Sequence, residues 1–242
     1  MNNVLKKDIK VPFSLCDNTS RLNIVGIFNT VMDLATEHGD ELGLGMKPLA
    51  DKGLFWVASK TKLKIHRRPE LLTTIEAKTW PEKPNRIRCN RYYALSQNGE
   101  MVVEGKTEWV MLEIGSGRPA KIDGAYPLDM EHCTDVVCDT PFCRVGTNFE
   151  GCEKLGEYTI CSADIDVSQH MNNVAYVRAV LSAFSCREIE EMNITEIDVA
   201  YRAQCYEGEK LTFFVRKEEN CRDIGIVKED GSTACVMRFV CA

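Results

Sequence analysis

EYTICSADIDVSQHMNNVAYVRAVLSAF, residues 157–184, reads as a short β-run, a polar loop and a helix. Residues 157–161 are the β-run. Asp164-Ile165-Asp166-Val167-Ser168-Gln169-His170 is a loop rich in side chains that cap orphan N–H groups, and Val174, Val177, Leu181 and Phe184 recur at helical spacing. The same programme stands earlier in the chain. Residues 13–15 are strand-like, Cys16-Asp17-Asn18-Thr19-Ser20 is turn-like, and Ile24, Phe28, Val31 and Ala35 form a helical stripe broken by Gly39 through Gly45. Each helix is followed by β-rich runs, at 54–66, 73–80, 87–96 and 101–114 in the first half and at 194–204, 210–217, 224–228 and 233–241 in the second. Asn98-Gly99 and Asp230-Gly231 mark the equivalent hairpin turns. The offset drifts from about 145 residues at the first strand to about 132 at that turn, as shorter loops in the second copy would produce. The chain reads as an internal duplication.

A long helix followed by an antiparallel meander buries both the helix stripe and a sheet face only if the sheet curls around the helix. The predicted fold class is therefore α+β. Two units paired edge to edge would make one continuous sheet with two helices on its concave side, the arrangement of a single-chain hotdog dimer. The competing reading is two unrelated α+β domains of similar rhythm. On the first reading, residues 1–115 are one hotdog domain and 156–242 the other. Residues 116–155, with Gly115, Gly117, Pro119, Gly124, Pro127, Pro141 and Gly146, make the crossing linker.

Composition narrows the function. Of 242 residues, 44% are hydrophobic and 27% charged, which is ordinary globular material with enough length for a sizeable core. The formal charge of -6 argues against nucleic-acid and anionic-membrane partners. No apolar run approaches the ~18 residues of a membrane span, and MNNVLKKDIKVPF lacks the apolar core of a signal peptide. The expectation is a cytoplasmic protein with reduced thiols. Its twelve Cys include a cluster with His132, namely Cys133, Cys138, Cys143 and Cys152. The C-x4-C-x4-C spacing is not that of zinc knuckles, so no metal is expected.

The second loop carries the chemistry. Its helix begins near Asn172 and Asn173, where backbone N–H groups lack intrahelical partners and point at any developing anion. Asp166 and His170 are close enough in the chain to orient one another, and a partly desolvated Asp would be a stronger base. Singly, Asp166, Ser168 and Asn172 read equally well as cap or Asx-turn residues, His170 as a hydrogen-bonded core histidine, and Asn173 and Tyr176 as ties from helix to sheet. Jointly, at one helix start in the second repeat, they read as a catalytic site.

The stretch Asp164 to Tyr176 resembles the D-x-x-x-H-[VM]-N-N-x-x-Y signature of hotdog thioesterases. With Tyr201-Arg202-Ala203-Gln204-Cys205 and Arg118-Pro119-Ala120-Lys121-Ile122, nearly the whole chain is similar to acyl-acyl carrier protein thioesterases. The resemblance implies a hydrolase that works without an organic cofactor, releases free fatty acid from the carrier and so ends fatty acid synthesis. It implies catalysis in the second half and an acyl tunnel shaped by the first. An acyl-coenzyme A thioesterase on the same fold and a non-catalytic acyl-binding protein are the alternatives. Plant members of the family carry Asn where this chain has Ser168, and Glu where it has Gln204. An amide cannot take a proton near neutral pH, so Gln204 is expected to position water and Asp166 to act as general base or nucleophile. Strand alternation would turn Cys205 away from the side Gln204 faces. Val25, Phe28, Met32 and Trp56 are candidates for the tunnel wall or for ordinary core packing. Asn172, Asn173 and Tyr176 are expected on the substrate. Carrier protein is acidic, and alternation puts Lys60, Lys62 and Lys64 on one face that Arg67, Arg68, Arg86 and Arg88 would extend, although such a face is commonly just the solvated side of a sheet. A pseudo-dimer in one chain is compatible with a monomer or a homodimer.

Overall fold

The computed structural model describes residues 3–122, 125–126 and 130–242; Gly124 and Pro127, assigned above to the linker, lie outside them. The chain divides into two compact units, one made of residues 1–59 and 63–140 and the other of 60–62 and 141–242.

In the first unit, α1 (Ile24–Glu41) and the short α2 (Met46–Ala50) accompany five strands: β1 (Leu5–Lys10), β2 (Leu54–Ile65), β3 (Thr74–Pro81), β4 (Arg88–Gln97) and β5 (Glu100–Glu113), in the order β1-β3-β4-β5-β2. The pairings of β3 with β1 and with β4, and of β4 with β5, are antiparallel. Asn23 caps α1 by accepting from the Gly26 N–H, and the stripe Ile24, Phe28, Val31 and Ala35 is buried. Gly39 does not end the helix; α1 runs two residues past it and stops at Glu41. Gly26 sits where an added Cβ would stand 2.8 Å from the Leu15 carbonyl oxygen, so this glycine lets the first turn of α1 press against the preceding loop.

The second unit carries β6 (Glu153–Thr159), α3 (Asn173–Leu181), α4 (Cys186–Met192), β7 (Ile194–Tyr201), β8 (Lys210–Lys217), β9 (Cys221–Lys228) and β10 (Thr233–Cys241), ordered β7-β10-β9-β8-β6. All its described pairings are antiparallel. The second helix is shorter than its apolar spacing predicts: α3 ends at Leu181, and Ser185 opens α4 with a capping box closed by Glu188.

Residues 13–15 form a single 3-10 turn rather than a strand. The true first strand, β1, is Leu5–Lys10, LKKDIK, whose alternation of half-buried and exposed positions offers little apolar signal. The 3-10 turn has its counterpart at Ser162–Asp164, so the repeat is in register through its loops as well as its helices.

Asp164 anchors the second loop. Its buried carboxylate accepts from the Tyr158 hydroxyl at 2.9 and 3.0 Å, the Cys161 N–H at 2.9 Å and the Arg178 guanidinium at 2.6 Å. Burial alone would raise its pKa, but the Cys161 and Arg178 bonds, with those from the Cys161 thiol and Tyr158, outweigh it and hold the carboxyl below the usual carboxylate range. The resulting stability is present above about pH 4 and is lost as the pH falls through the lowered value. Asp164→Asn should therefore lower stability at pH 7 and flatten the acid limb of an unfolding titration; an unchanged acid limb would remove Asp164 from this role.

Candidate active site

The two loops share the same backbone turn and the same hydroxyl-to-aspartate bonds. Ser168 N–H and Oγ donate to Asp166 Oδ1, as Thr19 N–H and Oγ1 donate to Asp17 Oδ1. Asp166 N–H donates to the His170 carbonyl and Gln169 N–H to the Asp166 carbonyl, as Asp17 does with Arg21 and Ser20 with Asp17. Gln169 (φ 66°) and Ser20 (φ 58°) take the same left-handed conformation, which neither residue type favours. Met171 N–H donates to the Cys205 carbonyl and Leu22 N–H to the Pro69 carbonyl, both at 2.8 Å. That last pair aligns Gln204 with Arg68, because each residue precedes the acceptor.

The difference between the copies is charge. Arg68 donates through Nη1 to Asp17 Oδ2. Burial works to raise the Asp17 carboxyl, but the Thr19 and Arg68 contacts outweigh it and hold it below the usual range. In the second copy the Arg68 position is the neutral Gln204, and Arg21 is replaced by His170. Among the described residues no cation pairs with Asp166. Its Oδ2 accepts from Asn172 Nδ2 at 3.3 Å. A carboxylate has about four acceptor directions, so the Ser168 and Asn172 bonds leave one for water. Ser168 Oγ also stands 3.5 Å from His170 Nδ1. A hydroxyl that donates to Asp166 can only accept from the ring, which leaves His170 Nε2 for a ligand.

Asn172 and Asn173, both expected on the substrate, differ in what their N–H groups do. Asn172 N–H donates to the Asp164 carbonyl and its Oδ1 accepts from Val174 N–H at 2.8 Å, so Asn172 closes its own helix end. Asn173 N–H has no hydrogen-bond partner among the described residues and stands at the positive end of α3. It is the N–H of the pair left open to a ligand.

Gln204 lies beyond the end of β7 at Tyr201, in a loop rather than on the strand expected for it. Burial still alternates, with Gln204 exposed and Cys205 fully buried. Gln204 Oε1 accepts from the Tyr206 hydroxyl at 3.0 Å. Tyr176 donates to the Ala203 carbonyl at 3.2 Å, so this ring ties α3 to the Gln204 loop. Burial pushes the Cys205 thiol up, so it stays protonated and a poor nucleophile near neutral pH. Cys205→Ala should change kcat by less than about threefold; trapping of an acyl adduct on the native thiol would reverse this assignment.

The remaining predicted residues scatter. Phe28 is fully buried, Val25 and Met32 are half-buried on α1, and Trp56 packs with the cluster of Leu42, Leu44, Leu49 and Met111. The lysine and arginine face is not a free cationic surface. Lys62 is buried against Glu196 (2.7 Å) and Asp198 (2.9 Å), which corrects the solvated placement expected for it. Lys64 faces Glu104 at 3.8 Å, Arg88 meets Glu108 at 3.3 Å, and Arg68 is spent on Asp17. Lys60 lies over the Phe142 ring and Arg67 bonds Gln97. Arg86 is exposed. The spaced cysteines part company: Cys133 packs beside Trp80 and Tyr92, whereas Cys143 and Cys152 pack beside Phe149. Among the described residues no helix is long and apolar enough to cross a membrane.

Both halves of the chain are similar to known proteins. The family model for the acyl-ACP thioesterase N-terminal domain, ACP being acyl carrier protein, matches residues 2–126, and that for the C-terminal domain matches residues 151–236. A palmitoyl-acyl carrier protein thioesterase of Cuphea hookeriana, described as chloroplastic, is 26% identical over 201 residues, covering 76% of this chain and 47% of its own. An oleoyl-acyl carrier protein thioesterase of Arabidopsis thaliana is 23% identical, covering 76% and 54%. The chain thus spans about half the length of the curated relatives it matches. An acyl-ACP thioesterase structure from Bacteroides thetaiotaomicron superposes with a TM-score of 0.84 at 20% identity, covering 99% of this chain and 98% of its own. The 12:0-ACP thioesterase of Umbellularia californica gives 0.85 at 17%, covering 99% and 97%. These structures carry the fold, which is α+β with two tandem hotdog domains. With family models matching both halves, the chain belongs to the acyl-ACP thioesterase family.

Proposed function

We propose that this chain hydrolyses the thioester of fatty acyl-acyl carrier protein to free fatty acid and carrier protein, and that the first unit receives the acyl chain. Water bound in the open acceptor direction of Asp166 loses its proton to that carboxylate as it attacks the thioester carbon. The carbonyl oxygen, gaining negative charge, is met by the Asn173 N–H and the dipole of α3. Ser168 and Asn172 hold the aspartate in one rotamer. The departing thiolate takes up the proton that Asp166 received from water, which restores the carboxylate, while His170 Nε2, the acceptor nitrogen of a ring whose Nδ1–H faces Ser168, accepts from a donor of the bound substrate. Gln204 supplies amide hydrogens to the bound water, its oxygen being taken by Tyr206. No metal or organic cofactor enters these steps.

The observation that carries the reading is the contrast between a quenched Asp17 and an unquenched Asp166 in two otherwise matched loops. Thiol release from acyl-carrier-protein and acyl-coenzyme A substrates of the same chain length tests it. Faster release from the carrier protein supports the proposal. Preference for coenzyme A would make this a coenzyme A thioesterase, and binding without release from either would make it an acyl-binding protein.

A further inference from the structure

The first unit hides a group of hydrogen-bond donors that the catalytic reading does not use. Cys89, Arg91 and Tyr93 alternate onto one side of β4. Thr107 and Trp109 lie opposite Arg91 and Cys89 on β5, and Thr79 lies opposite Tyr93 on β3. This is the side that faces α1, because Arg91 Nη1 stands 2.8 Å from His38 Nδ1. A guanidinium has no lone pair to offer, so the arginine donates and that ring nitrogen accepts. Arg91 is only 6% exposed, and its other contact is Thr79 Oγ1 at 3.4 Å. No carboxylate pairs with it among the described residues. A buried guanidinium is costly unless its donors are met, and an oxygen acceptor would meet them.

Two more buried atoms share that need. The Tyr93 hydroxyl and the Trp109 indole Nε1 have no hydrogen-bond partner among the described residues. Thr107 and Trp109 lie close to the phenol oxygen. Buried polar groups in native proteins are almost always satisfied, so unmet donors mark the place of a water, an ion or a ligand atom. Guanidinium and indole N–H can only donate, and burial keeps the phenol protonated. What fits all three is an oxygen acceptor.

We propose that Arg91, Tyr93 and Trp109 form a subsite for an oxygen function, a hydroxyl or carboxylate, carried at the far end of an acyl chain. The proposal rests on the reading that the first unit receives the acyl chain. It makes the interior of that unit selective for what the chain ends in as well as for how long it is. An acyl chain ending in a plain methyl group leaves the three donors unmet, and a site built to bond an oxygen discriminates against the analogue that lacks it.

Titration calorimetry with free acids tests this without requiring turnover. The probes are unsubstituted fatty acids of graded length, each beside its ω-hydroxy acid and its α,ω-dicarboxylic acid. At the best-fitting length the native protein should bind an oxygen-terminated acid at least about tenfold more tightly than the plain one. Arg91→Met and Tyr93→Phe should each erase that preference and leave affinity for the plain acid within about threefold. The Tyr93→Phe change retains the ring, so a folding failure of Arg91→Met would not empty the test. Equal binding of plain and oxygenated acids would mean that ordered water alone satisfies the donors, and the subsite falls while the acyl-chain reading stands. A preference that survives both substitutions overturns it likewise. If no acid of any length binds, the reading of the first unit as the acyl receptor fails, and the subsite fails with it.

Discussion

Asp166→Asn should lower kcat for acyl-carrier-protein hydrolysis by about a hundredfold or more, equivalent to about 2.7 kcal/mol of transition-state stabilisation, with little change in fold. The asparagine keeps the shape and one oxygen acceptor, so the Ser168 N–H bond survives. What disappears is a group able to receive a proton. Because substrate contacts elsewhere are untouched, the loss should fall on kcat rather than KM. The quenched first loop offers a second route to the same end. Gln204→Arg would place a guanidinium where Arg68 stands beside Asp17, and turnover should fall by a similar factor while Asp166 itself remains. Near-native turnover in Asp166→Asn would remove the aspartate from the base role. A fast Gln204→Arg enzyme would show that the equivalence drawn from the Cys205 and Pro69 carbonyls does not extend to the side chains.

The largest expected loss of stability is at Lys62. Its ammonium is buried between Glu196 and Asp198 and also donates to the Pro141 carbonyl at 3.0 Å. Burial works against the charge, but the bonds from the two carboxylates outweigh it and raise the lysine above its ordinary value. A lysine raised in the fold contributes stability that is fully present at neutral pH and is lost only as the pH climbs through the raised value. Lys62→Met leaves two acids facing each other without a cation, which should cost about 3–5 kcal/mol and lower Tm by about 10 °C. Lys62→Met combined with Asp198→Leu should recover only part of that loss, because it removes the more buried of the two acids but leaves Glu196 without its cation and the Cys143 N–H without its acceptor. A single substitution that moves Tm by less than about 2 °C would show that the ion pair contributes nothing of this size.

Much of the fold was legible because its repeat is written in apolar spacing and turn chemistry. β8 and β10 fall on the predicted residues, and the hairpin turns are where Asn98-Gly99 and Asp230-Gly231 put them. What stayed hidden had no such signal. β1 is half lysine and acquires its strand form only by pairing with β3. α2 and α4 span five and seven residues, too short for a helical stripe to declare itself. The loop residues Asp166, Ser168, His170, Asn172 and Asn173 could be named from their order, and the structure brings them to one helix end. Their division of labour could not be named, since it depends on which N–H each side chain takes. Lys62 misled for a plain reason: alternation along β2 fixes which residues share a side and is silent about whether that side is solvated. Arg68 could have been noticed, because Arg68-Pro69 follows the first loop as Gln204-Cys205 follows the second.

The matched loops also bear on how relatives of this chain should be scanned. An aspartate followed two positions on by a hydroxyl residue, with an asparagine opening the next helix, shapes the turn in both copies of this chain whether or not any reaction occurs there. Scoring that spelling would count two working centres in every such sequence. On the proposed mechanism the discriminating letter is the one before the distant carbonyl contact, which is Arg68 for the first loop and the uncharged Gln204 for the second.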